Sequence, residues 1–161
     1  MRAVVARIVS PAVIGLDTAT VEVEVDLRPG LPGFSVVGLP DAAVQEARER
    51  VRSGIVNQAF DLPPIRIVAN LAPAQVRKAG PQYDLPIALA VLSGSGQVRP
   101  GAIASTGAVG ELALDGALRP VPGVLVMAEH AARRGWRQLV VPEANAAEAA
   151  LVPGIRVLGA R

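Results

Sequence analysis

Arg77-Lys78-Ala79-Gly80-Pro81-Gln82-Tyr83-Asp84-Leu85-Pro86-Ile87-Ala88-Leu89-Ala90-Val91-Leu92 passes from a basic loop, broken by Gly80-Pro81, into a compact apolar helix. This layout presents a backbone loop at a helix N-terminus. Unpaired N–H groups and the positive end of the dipole can there meet an anion or a reacting carbonyl. Upstream, Ile65–Leu71 follows Pro63-Pro64 and reads as a buried strand. Downstream, the helix ends near Ser93-Gly94-Ser95-Gly96, and Ile103–Gly107 reads as a further strand.

Outward from this centre the pattern alternates between strands and helices. Thr20–Leu27 alternates apolar and polar residues, the mark of a strand with one wet face, and pairs with an earlier strand around Ala3–Val9. A Pro29-Gly30 and Pro32-Gly33 loop leads to a short strand at Phe34–Val37. Asp41 is placed to N-cap a helix through Asn57, with Val44, Ala47, Val51 and Ile55 as its apolar stripe. Asp115-Gly116 between Leu112–Leu114 and Ala117–Arg119 is a hairpin signal. Val124–Arg134 reads as helix, Gln138–Val141 as strand and Ala144–Ala150 as a short helix. The class is α+β, or mixed α/β, in one domain over residues 1–161.

Composition narrows the chemistry. The 161 residues hold no cysteine, one histidine (His130) and one lysine (Lys78), which excludes disulfides, thiolate zinc sites and multi-histidine metal sites. Glu111 and Asp115 supply too few oxygens for a magnesium site, so no metal ligands are assigned. The four aromatic residues make base stacking a poor main source of nucleic-acid affinity. A formal net charge of +2 gives no whole-domain cationic field, so any nucleic-acid site is a local patch. No apolar run is long enough to span a membrane, and the start of the chain fits a first strand better than a signal peptide; a cytoplasmic protein is expected.

Leu31–Asp41, Glu46–Arg52, Asn70–Ala74, the opening run, Gly110–Val121 and Pro142–Val152 together resemble the N-terminal domain of the ComM/YifB proteins, bacterial AAA+ ATPases often labelled magnesium-chelatase-like. The resemblance covers nearly the whole chain. It implies a Lon-protease-like domain with the fold of the second domain of ribosomal protein S5. It further implies an AAA+ module as partner, a homo-hexameric ring, and a role in DNA branch migration during natural transformation. ATP and Mg²⁺ belong to that ATPase module; this sequence holds no G-x-x-x-x-G-K-[ST], so no cofactor is assigned to it.

The same resemblance bears on catalysis. Lon-type peptidases carry a serine after Gly-Pro and a lysine on a later helix. Here Gln82 stands at the serine position and Leu125 at the lysine position. A Gln amide does not attack a peptide bond, and Leu accepts no proton. No catalytic residue is assigned, and a non-catalytic accessory domain is expected. The alternatives are an active Ser-Lys peptidase, pairing Lys78 with Ser93, Ser95 or Ser105, and a magnesium-chelatase component. His130 reads as an exposed helical residue, and Tyr83 as packing.

The basic residues read in two ways. Arg66, Arg77 and Lys78 form a local patch for nucleic-acid phosphates, helped by the helix N-terminus, or Arg77 and Lys78 are solvated loop charges with Asp84 satisfying backbone donors. Arg48, Arg50 and Arg52 face DNA, or they lie on a solvated helix face or at an intersubunit contact.

Overall fold

The computed structural model describes residues 2–161. Its centre is a long antiparallel hairpin, β1 (Val4–Ile14) and β2 (Asp17–Arg28), closed by a two-residue turn in which Gly15 has φ +62°. Alternation along β2 buries Val21, Val23, Val25 and Leu27 and leaves Glu22, Glu24 and Asp26 on the other face. Beside β2 lies β4 (Arg66–Ala72), antiparallel to it, and then β3 (Gly33–Val37), parallel to β4.

On the other side of the hairpin, β5 (Thr106–Ala108), β8 (Gln138–Pro142) and β9 (Arg156–Ala160) follow in parallel. The seven-stranded order is β3-β4-β2-β1-β5-β8-β9. Two short strands, β6 (Glu111–Leu112) and β7 (Leu118–Arg119), form a separate hairpin around Asp115-Gly116. The expected turn is there: Asp115 Oδ1 accepts from Ala117 N at 2.9 Å, and Gly116 has φ +91°. The protein is thus mixed α/β with a mostly parallel central sheet.

Helices cover both faces. α3 (Asp84–Gly94) is apolar almost throughout and packs on β1 and β2, with Ile87, Ala90 and Val91 fully buried. α2 (Ala47–Asn57) lies beside it, contributing Val51 and Ile55 to the same core. α5 (Val124–Arg133) and α6 (Glu143–Ala149) build a second core with Val109, Leu139 and Val141. Val140 packs into the first core while its neighbours Leu139 and Val141 enter the second. Period-two alternation therefore puts the two cores on opposite faces of the sheet.

Three local readings are corrected. The helix expected from Asp41 to Asn57 is two: α1 (Ala42–Gln45) and α2, separated at Glu46. Asp41 does cap the first, its Oδ1 accepting from Val44 N at 2.8 Å. The strand expected at Ile103–Gly107 is preceded by a helical turn, α4 (Pro100–Ile103), because Pro100 sits at its first position; the strand starts only at Thr106. β9 was not anticipated. Its five residues include Gly159, and its pairing with β8 supplies what propensity lacks.

Candidate functional site

The loop that opens α3 is fastened to the turn after β3. Lys78 N donates to Leu39 O at 3.1 Å, and Asp41 N donates to Lys78 O at 2.9 Å. The turn needs glycine at Gly38: its φ is +106°, and a Cβ there would lie 2.1 Å from Leu71 O. Asp41 holds both pieces, capping α1 with Oδ1 while Oδ2 accepts from Gly80 N at 3.2 Å.

Lys78 is the main departure from expectation. It is 0% exposed, and its Nζ donates to Gly38 O at 2.7 Å and also to Pro73 O. Burial lowers its pKa from the ordinary lysine value. The surface position expected for Lys78, in a phosphate patch or as a solvated loop charge, is therefore corrected. It ties two turns together from inside. The three basic residues proposed as one patch are also not brought together. Arg66 opens β4, whereas the Arg77–Lys78 loop follows the far end of that strand, about 20 Å along it. Arg66 and Arg77 are both exposed.

Further along the loop, Pro81–Tyr83 makes a single 3-10 turn. Gln82 O accepts from Gly110 N at 2.9 Å, and Gln82 Nε2 reaches Pro11 O at 3.4 Å. Leu125 is exposed on the first turn of α5 and lines a cavity of about 530 Å³ with Glu129, Arg133 and Leu151. Gln82 does not line that cavity. Tyr83 is buried as expected, and burial pushes its hydroxyl up to about 12.

Asp84 does more than satisfy backbone at a helix start. Fully buried, it takes a two-pronged contact from Arg50: Nε to Oδ2 at 2.6 Å and Nη2 to Oδ1 at 3.1 Å. Leu112 N donates to the same Oδ2 at 3.0 Å, and Arg50 Nη2 also donates to Ala43 O at 2.7 Å. Burial pushes the Asp84 carboxyl up to about 6, against the lowering pull of Arg50 and the Leu112 N–H. The solvated-face reading of Arg50 is corrected accordingly. No local signal in the sequence marks it, because its partner lies 34 positions away.

His130 is likewise not exposed. Its ring nitrogens meet the hydroxyls of Thr18 at 3.0 Å and Thr20 at 2.8 Å, and Trp136 packs edge-on with ring centroids 5.7 Å apart. Burial lowers its pKa, reinforced by Arg134 and Arg133. Among the described residues no group of three or more acidic or histidine side chains converges to hold a metal, and no helix is long and apolar enough to cross a membrane.

The loop and its fastenings lie within a recognised sequence family. The family model described as subunit ChlI of Mg-chelatase matches residues 23–145. YifB of Escherichia coli is 45% identical over 143 residues, covering 89% of this chain and 28% of that protein. The competence protein ComM of Haemophilus influenzae is 44% identical over 147 residues, covering 91% and 29%. The chain belongs to the ComM/YifB family. An uncharacterised protein of Mycobacterium tuberculosis is 47% identical over 155 residues, covering 96% of this chain and 31% of its own length. This ComM/YifB-family chain thus spans about a third of the curated relatives it matches.

Proposed function

We propose that this chain is a non-catalytic accessory domain of a ComM/YifB-type AAA+ ATPase, with Lon-like ancestry, that aids assembly of the hexameric ring and engages DNA. The membership just described supports the parent assignment, and the name of the Haemophilus relative, a competence protein, supports the link to DNA uptake. One observation carries the non-catalytic part. Lys78 Nζ, the only lysine amine available as a base, is spent on the carbonyls of Gly38 and Pro73 rather than on a serine. Ser95 Oγ, for its part, donates to Leu92 O at 3.2 Å and accepts from Gln97 Nε2 at 2.8 Å. A nucleophile–base pair needs direct hydrogen-bond reach between its members. ATP and Mg²⁺ then act in the ATPase module, and the protein works in the cytoplasm.

Two measurements test this reading. Incubation with unfolded casein or a fluorogenic peptide is expected to give no turnover; turnover that Ser95→Ala or Lys78→Ala abolishes would overturn the non-catalytic assignment. Anisotropy titrations with single-stranded, duplex and branched DNA at low salt are expected to show binding. Absence of binding to all three removes the DNA role and leaves assembly as the function.

A further inference from the structure

Resting on the DNA-engagement reading, we infer that the nucleic-acid contact is made by a cluster of arginines at the end of the sheet where β5, β8 and β9 begin. Arg99, Arg133, Arg134, Arg137 and Arg156 are all exposed there. Short connections assemble them. Arg133 and Arg134 close α5, and the tight turn at Gly135 (φ +72°) carries the chain to Arg137, whose N donates to Ser105 O at 2.9 Å just before β5. Gln138 pairs in register with Arg156 on one side and Thr106 on the other. Its Nε2 reaches Ala102 O at 3.5 Å, which brings α4, and Arg99 before it, to the same end.

Acidic residues are sparse at this end, where Glu129 on α5 shares a cavity with Arg133 and Glu22 on β2 shares another with Ser105 and Thr106. Residues 97–110, 130–142 and 149–161 contain no Asp or Glu, in a chain whose net charge is only +2. Among the described residues none of the five arginines has a carboxylate within ion-pair distance, whereas Arg7, Arg28, Arg50 and Arg161 each have one. The combined field of Arg134 and Arg133 is felt by His130, whose protonation it opposes. The dipole of α5 accounts for cations in its last turn. It does not account for Arg137 and Arg156, which stand at strand starts.

Arginine forks match phosphate oxygens, and a row of them favours a repeating polyanion. Within the three acid-free segments the one large exposed hydrophobic side chain is Leu151, beside Arg133, and a single leucine supplies too little apolar surface to anchor in a lipid bilayer or form the apolar centre of a protein interface. Those features favour nucleic-acid backbone over an anionic membrane or an acidic protein. The contact is to phosphates, and sequence preference is not expected from it.

The test is a salt series of DNA binding by the 161-residue protein and two variants of equal charge loss, Arg134→Gln/Arg137→Gln and Arg48→Gln/Arg52→Gln. For duplex DNA each lost phosphate contact lowers the slope of log K against log salt by about 0.9, so the first variant is expected to lose about 2 from the slope and at least about tenfold in affinity at low salt. The second is expected to bind as wild type does. Near-UV circular dichroism of the lone Trp136 verifies that the fold is retained. Equal weakening of both variants, or none in the first, overturns the arginine site while leaving DNA engagement intact. A wild-type protein that binds no DNA overturns both. Arginine-dependent binding to phosphatidylserine vesicles or polyglutamate as tight as to DNA overturns the assignment of nucleic acid as the ligand.

Discussion

Replacing Arg50 with alanine would expose what the Asp84 site costs and why it is tolerated. Asp84 is fully buried and the Arg50 side chain is 16% exposed, so their attraction is little screened by water. With the guanidinium gone, the carboxylate keeps only the Leu112 N–H, and the Ala43 carbonyl loses its donor. Removing one partner of a buried pair costs about 3–5 kcal/mol, a large share of the roughly 5–15 kcal/mol that holds a domain folded. The pH dependence gives the argument its sign. Burial holds folded Asp84 near 6 against an ordinary value of 3.8, so between those pH values the folded protein keeps a proton that the unfolded chain has released. Stability from this group therefore falls as pH rises through that window. Arg50→Ala removes a lowering influence and moves Asp84 further up, so the variant shelters a neutral acid over a wider range. Urea unfolding at pH 8 should show the full loss relative to wild type. At pH 5 the loss should shrink to about 1–2 kcal/mol, the cost of unmade hydrogen bonds. Arg48→Ala, on the exposed side of α2, should move stability by less than about 0.5 kcal/mol. A loss for Arg50→Ala below about 1 kcal/mol at pH 8, the level of an exposed pair, or an equal loss at both pH values, would refute the reasoning.

Other consequences can be checked directly. Gly38→Ala places a Cβ 2.1 Å from Leu71 O at a φ of +106°, so thermal melting should show a loss above about 3 kcal/mol or no cooperative transition at all. Lys78→Met leaves the Gly38 and Pro73 carbonyls without their buried donor and should cost about 2–4 kcal/mol in urea unfolding; a neutral result would show that the ammonium contributes no net stability. The lone His130 can be followed by proton NMR without assignment, and its midpoint should lie below the ordinary 6.5. Because its folded pKa is lowered, the stability it contributes is present at neutral pH and declines as pH falls through 6.5 and below, a trend that His130→Gln should abolish.

The sequence by itself determined the local elements and the family. Alternation along Thr20–Leu27, the cap at Asp41, the Asp115-Gly116 turn and the apolar run after Asp84 are all short-range signals, carried by residues within one turn or one strand of each other. Tertiary structure alone decided what the charged side chains do. Lys78 meets Gly38 from 40 positions away, Arg50 meets Asp84 from 34, and His130 meets Thr20 from 110. The arginines at the sheet end become neighbours only once β5, β8 and β9 align in parallel. Whether a charge is buried in a hydrogen-bonded socket or left facing solvent depends on what the fold packs against it, and periodicity along the chain carries no record of that partner.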